Sequence, residues 1–328
     1  MEEQLKVAII GAGMSGLTLA QGLSGRAQIE VFDKSRGIGG RMSTRRSEAY
    51  RFDHGAQYFT AKGPDFQAFL APFLRDGIVE EWRPRLVTLG SPSVTPSVWT
   101  APRYTAVPAM NSLCKAMSDP VKITMQAEVS SIERAGDGWE LVGKAGEDFG
   151  RFDWVVSSVP CVQAARIMPP TFSGQEVLAA TKMQGCYSLM LGFDQPLDLD
   201  WDAARVSEGP LTWIAVNSSK PGRTHPLNII CQTSNEWAED HLEGDQEAVK
   251  SELLAAFALA TGMDPAQAGY VSLHRWRYAN VATPAGIPYL IDHERKLAAC
   301  GDWTGKGKVE TAFDSGFALS RVLGDMLT

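Results

Sequence analysis

Cysteine is scarce in this chain: five in 328 residues, at Cys114, Cys161, Cys186, Cys231 and Cys300. The number is odd, the spacing wide and no pair is in a CxxC arrangement, so neither a disulfide framework nor a zinc site follows. Each reads as a small apolar residue in a reducing compartment. Long apolar runs are missing too. The longest, Leu253 to Ala260, falls far short of the roughly 18 residues that span a bilayer and continues an acidic helical pattern. The start, Met1-Glu2-Glu3-Gln4-Leu5-Lys6, lacks the basic beginning and apolar core of a signal peptide. These absences lead us to expect a cytoplasmic protein with no membrane partner and no metal. Positive charge is short as well. With a net charge of −7, a pI near 5.4 and no basic tail, nucleic acid is not an expected partner. The densest basic run, Arg41, Arg45, Arg46 and Arg51, is local, and suits an anionic small ligand better than a polyanion.

What remains is an ordinary globular composition, 44% hydrophobic with a mean hydropathy of −0.13. A length of 328 residues approaches the limit of one core and predicts two lobes. Glycine clusters at both ends of the chain, where backbone must pass close to something. Lys6 to Ile10 reads as a buried parallel strand, Leu17 to Leu23 as a helix, and Ile29 to Asp33 as a second strand. Between the first strand and the helix lies Gly11-Ala12-Gly13-Met14-Ser15-Gly16. In that context Gly11 permits the tight turn, Gly13 admits a pyrophosphate and Gly16 lets the helix pack on the sheet. The helix N-terminus offers free N–H groups to phosphate. Asp33, 22 residues after Gly11, stands where a carboxylate accepts from a ribose diol, with Lys34 beside it. This is dinucleotide binding, and the fold context alone leaves NAD and FAD open.

Further along, Phe66 to Leu74 shows helical spacing, Gly90 to Pro108 reads as a loop or an excursion between lobes, and Pro108 to Met117 as a helix. Strands are expected at Val121–Met125, Val129–Ile132, Trp139–Val142 and Phe152–Val159, with a Gly136-Asp137-Gly138 hairpin turn. An amphipathic helix runs from Gln246 to Ala260. The tail offers a strand at Leu297–Cys300, a turn at Gly301-Asp302 and a helix from Glu310 to Leu323.

Arg36-Gly37-Ile38-Gly39-Gly40-Arg41-Met42-Ser43-Thr44-Arg45 resembles the RxxGGRxxTxR signature of the flavin-containing amine oxidase superfamily. The segment around Val129, the turn Gly301-Asp302 and the run Val309-Glu310-Thr311 through Gly316 are similar to later motifs of the same superfamily. The resemblance implies non-covalent FAD. Gly39, Gly40 and Arg41 would meet its diphosphate and backbone at Val129 its adenine. Asp302 would hold the ribityl or phosphate region, with the helix from Val309 and Glu310 aimed at the flavin. Arg51-Phe52-Asp53-His54-Gly55-Ala56-Gln57-Tyr58-Phe59-Thr60-Ala61, together with His274 to Ala279 and Cys300 to Trp303, looks like the renalase branch. That branch implies oxidation of the 2- and 6-dihydro isomers of NAD(P)H to NAD(P)+, with O2 reoxidising the flavin to give H2O2.

On this reading Gly55, Ala56, Gln57 and Tyr58 border the flavin ring, and Tyr187, Trp213, Trp276, Tyr278, Tyr289 and Trp303 are candidate pocket walls. Lys308 replaces an aromatic residue common in amine oxidases, and its charge would repel an ammonium substrate. Lys62, Lys220 and Arg223 are candidate contacts for a substrate diphosphate. His54, His225 and His274 are candidate acid–base groups or satisfied structural histidines. No acid–base dyad is needed, because the flavin is the reactive group and the protein supplies orientation. The expected fold is α/β, with a Rossmann-like FAD-binding lobe from residues 1–62, 104–160 and 290–328. An interwoven mixed-sheet-plus-helices substrate lobe comes from residues 63–103 and 161–289. Two rival functions stand beside it: an amine oxidase or other small-molecule dehydrogenase, and a non-catalytic flavin-binding redox sensor.

Overall fold

The computed structural model describes residues 4–90, 93–224 and 226–327. β1 (Lys6–Ile10), α1 (Met14–Gly22) and β2 (Gln28–Asp33) form the expected opening unit. Their sheet has six strands, in the order Leu290–Asp292, Leu297–Ala299, Trp154–Ser157, β1, β2, Lys122–Met125. All pairings are parallel except the one at the Leu290–Asp292 edge. Alternation along each strand feeds two cores. Ala8, Ile10, Phe32 and Val155 pack with Trp139, Phe152 and Trp303 on one face. Val7, Ile9, Val31 and Val156 pack with Leu19, Leu319 and Leu323 on the other. Burial on both faces explains why these strands carry unbroken apolar runs.

The second of those faces is covered by α1 and the long C-terminal helix Val309–Met326. They touch almost backbone to backbone. A Cβ on Gly316 would lie 2.3 Å from the Ser15 carbonyl oxygen, and one on Gly22 would lie 2.3 Å from Ser320 Oγ. The two contacts advance together along both helices, so their N-termini open toward the same end of the sheet. That end is the carboxyl edge of β1, Trp154–Ser157 and Leu297–Ala299, where ligands of open parallel sheets bind.

A three-stranded antiparallel meander, Val129–Ala135, Gly138–Gly143 and Asp148–Phe152, packs beside this unit. Ala135 pairs with Gly138, so Gly136 (φ +58°) and Asp137 make the expected two-residue turn.

A seven-stranded sheet forms the roof, in the order Tyr270–Thr283, Lys182–Gly192, Asn228–Thr233, Leu211–Val216, Ala203–Val206, Leu86–Gly90, Ser93–Ser97. Its outer face buries Tyr187, Leu189 and Leu191 against Val249, Leu253 and Phe257 of the helix Gln246–Thr261. Asp245 caps that helix by accepting from Glu247 N and Ala248 N, and Gly262 closes it in the left-handed conformation. The inner face turns Met190 and Ile230 onto Tyr50 and Phe52.

Two expectations need correction. The stretch 90–108 is not a plain loop. Ser93–Ser97 pairs with Leu86–Gly90 at the sheet edge, and Tyr104–Ala106 pairs with Val79–Glu81. Residues 91 and 92 lie outside the described ones. Pro96 hid this strand, because proline is tolerated only at an edge such as this. The helix expected from Pro108 starts later, as Ser112–Met117. Met110 instead donates its amide to Asp53 Oδ1 at 3.1 Å. Among the described residues no helix is long and apolar enough to cross a membrane, and no group of His, Cys, Asp and Glu could hold a metal ion.

Candidate active site

The glycine turn has the three roles read from its spacing. Gly11 has φ +114°, and a Cβ there would meet Ser158 Oγ at 2.6 Å. A Cβ on Gly16 would lie 2.1 Å from the Gly11 carbonyl oxygen, so the helix sits directly on the turn. Gly13 differs: nothing lies within 4 Å of its Cβ position. That open space over an uncapped helix N-terminus fits a pyrophosphate. The double glycine closes over it. Gly39 N donates to Ala12 O at 2.9 Å, and Gly40 (φ +53°) approaches Gly13, its Cβ position 3.6 Å from the Gly13 Cα. Met14 and Ser15 are buried in the first turn. Asp33 accepts Ala12 N and Ser35 N, each at 2.8 Å, one per carboxylate oxygen. Two lone-pair sites remain for a ribose diol. Ala127 N bonds Asp33 O at 2.9 Å, which brings the segment leading to Val129 alongside, while Lys34 is exposed. These residues fit the dinucleotide part of FAD.

At the other end of the crevice the structure adds two contacts that the motifs did not disclose. Arg41 grips Asp302 through both arms of its fork, Nη1 to Oδ2 at 2.8 Å and Nη2 to Oδ1 at 2.5 Å, and also donates to Ala279 O at 3.1 Å. The Arg41 fork expected on a diphosphate is thus directed at the Asp302 carboxylate. Glu310 Oε1 accepts Lys62 N at 2.8 Å and Gly63 N at 2.5 Å. It thereby anchors the two residues that lead into the helix Pro64–Arg75, whose own N-terminus has no side-chain cap. Val309 opens the C-terminal helix, and Lys308 before it is exposed. The Lys308 charge therefore stands in solvent, and the repulsion argument built on it does not carry. Cys300 is fully buried and its Sγ accepts from Ser15 Oγ, which removes it as a covalent flavin anchor.

Gly55 is fixed by contact. Its Cβ position lies 1.9 Å from the Arg41 carbonyl oxygen, and Ala56 N donates to that oxygen at 2.8 Å. Beneath it lies a buried charge cluster. Asp53 Oδ2 accepts Arg223 Nη2 at 2.7 Å and Lys220 Nζ at 3.4 Å, and Oδ1 accepts Thr44 Oγ1 at 2.7 Å. Lys220 also donates to Gln57 Oε1 at 3.2 Å and Asn217 Oδ1 at 2.9 Å. Burial alone would raise the Asp53 pKa, but the Lys220 and Arg223 charges hold it down to about 2. Burial, helped by Arg223, brings Lys220 down to about 8 against the pull of Asp53. One anion with two cations leaves this cluster net positive. Lys220 and Arg223, expected on a substrate diphosphate, are buried here in other work, and Lys62 is exposed.

Two histidines join the segment from the roof side. His54 packs on His274 and Trp276, with ring centroids 4.8 and 5.0 Å away. Trp276 Nε1 and Ser188 Oγ both donate to His54 O, at 2.9 and 2.7 Å. Burial, then His274 and Arg45, push the His54 pKa down to about 3, and burial with Arg45 pushes His274 to about 4. Both rings are neutral near pH 7. His225 lies outside the described residues.

The candidate aromatics divide. Tyr187 is fully buried on the outer face of the roof and donates its hydroxyl to His241 O. Trp303 is fully buried under the parallel sheet, donating to Val159 O. Both are core, not pocket. Tyr289 packs against the α1 side of the parallel sheet. Trp276 and Tyr278 lie half-buried on the strand Tyr270–Thr283. Tyr58 and Trp213 do meet, 5.7 Å apart, and with them come residues the sequence reading missed. Trp99 packs on Tyr58 at 5.0 Å and stacks on Trp213 at 6.3 Å, and Trp82 lies 5.5 Å from Trp99. Arg103 sits over Tyr58 and Trp99 at 5.4 and 5.3 Å, and Lys220 Nζ lies 5.5 Å over Trp82. Nearby a polar cavity of about 430 Å³ is lined by Gln184, Gln232, Asn235 and Asn280, among others. Gln232 Nε2 donates to Gly55 O at 2.8 Å and so connects the cavity to the glycine segment.

The parallel sheet, its glycine turn and the double glycine above it define a protein with a Rossmann-type dinucleotide-binding fold. Comparison with known proteins sharpens the class. Residues 9–73 match the model of the NAD(P)-binding Rossmann-like domain, and residues 94–323 match that of flavin containing amine oxidoreductases. The second match spans more than half of the chain. The chain belongs to the flavin-containing amine oxidoreductase family, and its cofactor is FAD. Among solved structures, a protein assigned as protoporphyrinogen oxidase from Exiguobacterium sp. 255-15 shares the fold, with TM-score 0.79, 10% identity and 99% of each chain covered. A redesigned putrescine oxidase superposes with TM-score 0.71 at 13% identity over 98% of each chain. A curated relative, 4,4'-diapophytoene desaturase of Staphylococcus aureus (strain Newman), is 29% identical over 77 residues, 20% of this chain. The match spans only 15% of that relative's length.

Proposed function

We propose that this protein oxidises the 2- and 6-dihydro isomers of NAD(P)H to NAD(P)+, as the renalase-like segments Arg51 to Ala61 and His274 to Ala279 imply. Bound FAD supplies the redox chemistry, so that dihydro-NAD(P), a proton and O2 become NAD(P)+ and H2O2. The observation that carries the reading is the charge at the aromatic cluster. Where an ammonium substrate would be caged by Tyr58 and its neighbours, Arg103 already occupies the aromatic faces and Lys220 lies behind Trp82. A second cation there is repelled, whereas a neutral dihydropyridine carrying phosphates is not. The polar cavity reached from Gly55 offers amides of Gln184, Gln232, Asn235 and Asn280 to a carboxamide, with Glu236 also in its lining. His54 and His274, held neutral, add no charge and no acid, in keeping with a substrate whose ring nitrogen already drives hydride departure. The chain's work is then to orient the ring and keep water away.

Anaerobic mixing tests this. The 2- or 6-dihydro isomer of NAD should bleach the flavin absorbance within seconds, while ordinary NADH and amines leave it yellow over the same time. Rapid bleaching by amines alone overturns the reading in favour of amine oxidation. Absence of bleaching by every donor tested would favour the redox-sensor role.

A further inference from the structure

The aromatic cluster has a second property, independent of where the flavin lies. It is rich in hydrogen-bond donors and poor in acceptors. Trp82 Nε1, Trp99 Nε1, Trp213 Nε1 and Arg103 Nε are all buried, and among the described residues none has a partner. Four buried N–H groups left open in one cluster are unusual, since buried donors are nearly always paired. No carboxylate of the described residues pairs with Arg103. Its Nη1 is spoken for by two backbone carbonyls, Ala101 O at 3.0 Å and Pro102 O at 3.4 Å. That leaves the Nε–Nη2 edge, the side-on pair of donors whose spacing matches two oxygens of a carboxylate or phosphate.

The backbone holds this edge in register with the candidate flavin segment. Tyr104 and Phe59 exchange both amide bonds, at 2.8 and 2.9 Å, as an antiparallel bridge, so Arg103 stands opposite Thr60 and diagonal to Tyr58 on the same face. Arg103 O in turn accepts Trp82 N at 2.8 Å. Stacking on Tyr58 and Trp99 fixes the plane of the guanidinium and removes much of the entropy cost of using it. The net-positive Asp53, Lys220 and Arg223 cluster adjoins it through Trp82 and adds a field of the same sign.

We infer that Arg103, packed against both Tyr58 and Trp99, is the specificity-determining anchor for the substrate's diphosphate. It would select dinucleotides over nicotinamide riboside. This rests on the proposed oxidation of dihydro-NAD(P), but the anion site itself is separable from it.

Two measurements on the FAD-loaded protein distinguish the two. In the first, wild type, Arg103→Met and Arg103→Lys are titrated with inorganic pyrophosphate while tryptophan fluorescence is followed. The wild type should show a saturable change at millimolar concentration. In R103M, which keeps the packing without the charge, affinity should fall tenfold or more; R103K should retain part of it. A wild type that shows no saturable change, or an R103M protein that binds as the wild type does, overturns the anion site. In the second, the same proteins are reduced by 2-dihydro-NAD and by 2-dihydronicotinamide riboside, which has no phosphate. R103M should raise KM for the dinucleotide 10- to 100-fold with kcat within threefold, and leave the riboside unchanged. Equal losses on both substrates overturn the anchoring role. Absence of flavin reduction by either donor in wild type overturns the functional reading, whatever the pyrophosphate titration gives.

Discussion

Gly13 and Gly16 stand three residues apart, yet a methyl group would act on them in opposite ways. At Gly13 the added carbon enters open space and φ is −89°, so the fold tolerates alanine. G13A should melt as the wild type does when both are stripped of FAD, but bind FAD at least tenfold more weakly. At Gly16 the carbon would overlap the Gly11 carbonyl. G16A should lower the stability of the apoprotein itself by about 1–3 kcal/mol, as overpacking does, read by urea denaturation. The buried titrating groups make a second prediction at this scale. His54 and His274 have folded pKa values of about 3 and about 4, below the ordinary 6.5. In that window the unfolded chain binds more protons, so stability falls as pH drops from 6.5 toward 4. Asp53, held at about 2 against 3.8, loses its contribution only below that range. Denaturation midpoints should therefore begin to decline near pH 6.5. The decline between pH 6.5 and 4.5 should shrink in a His54→Asn, His274→Asn double variant, and an unaltered slope there refutes the assignment.

Elements show which roles a sequence can reveal. The β1–α1–β2 unit was legible because strand period, glycine spacing and terminal acid all concern neighbours in sequence. The aromatics were not, because the same roof strand sends Tyr187 to the outer core and Ser188 to the inner face. One residue of register decides between them. Arg103 was missed for a different reason. It lies alone in a stretch rich in Pro, Ser and Thr, and its meaning comes from Tyr58 and Trp82, which only backbone pairing brings near. Trp99, four residues before a lone arginine in that stretch, was the one signal available. Glu310 was read as a flavin contact from its motif, whereas its carboxylate accepts the amides of Lys62 and Gly63, just before the helix Pro64–Arg75. Glu310→Ala should cost about 1 kcal/mol of stability, the usual net value of a lost hydrogen bond. Gly63→Ser, which gives the uncapped helix a side-chain cap, should offset part of it, measured by thermal melting.

On the scale of the whole molecule, the chain closes on itself. Leu297–Ala299 is an interior strand of the parallel sheet, between Trp154–Ser157 and Leu290–Asp292, and the last helix shields α1. Arg41 and Asp302 tie the two ends of the chain across the crevice. A chain ending at residue 296 should therefore lose the cooperative melting transition and the near-ultraviolet circular dichroism of the packed tryptophans. A Tm within a few degrees of the full-length value would contradict the interior placement of that strand. Substitution of Arg41 and Asp302 singly and together, as R41M and D302N, should give a coupling energy of about 1.5–3 kcal/mol, expected of a charge-assisted pair with one side buried.

That closure also imposes an order on synthesis. β1 leaves the ribosome long before the strand Leu297–Ala299 that joins its sheet and the helix Val309–Met326 that covers α1. At roughly 5–20 residues per second, the apolar faces of the opening unit wait on the order of 15–60 s for their partners. For that interval the glycine turn exists without its lid of helix, exposed to chaperones and proteases. The crevice between the glycine turn and Asp302 is therefore complete only once the segments 297–299 and 309–326 have joined the opening unit.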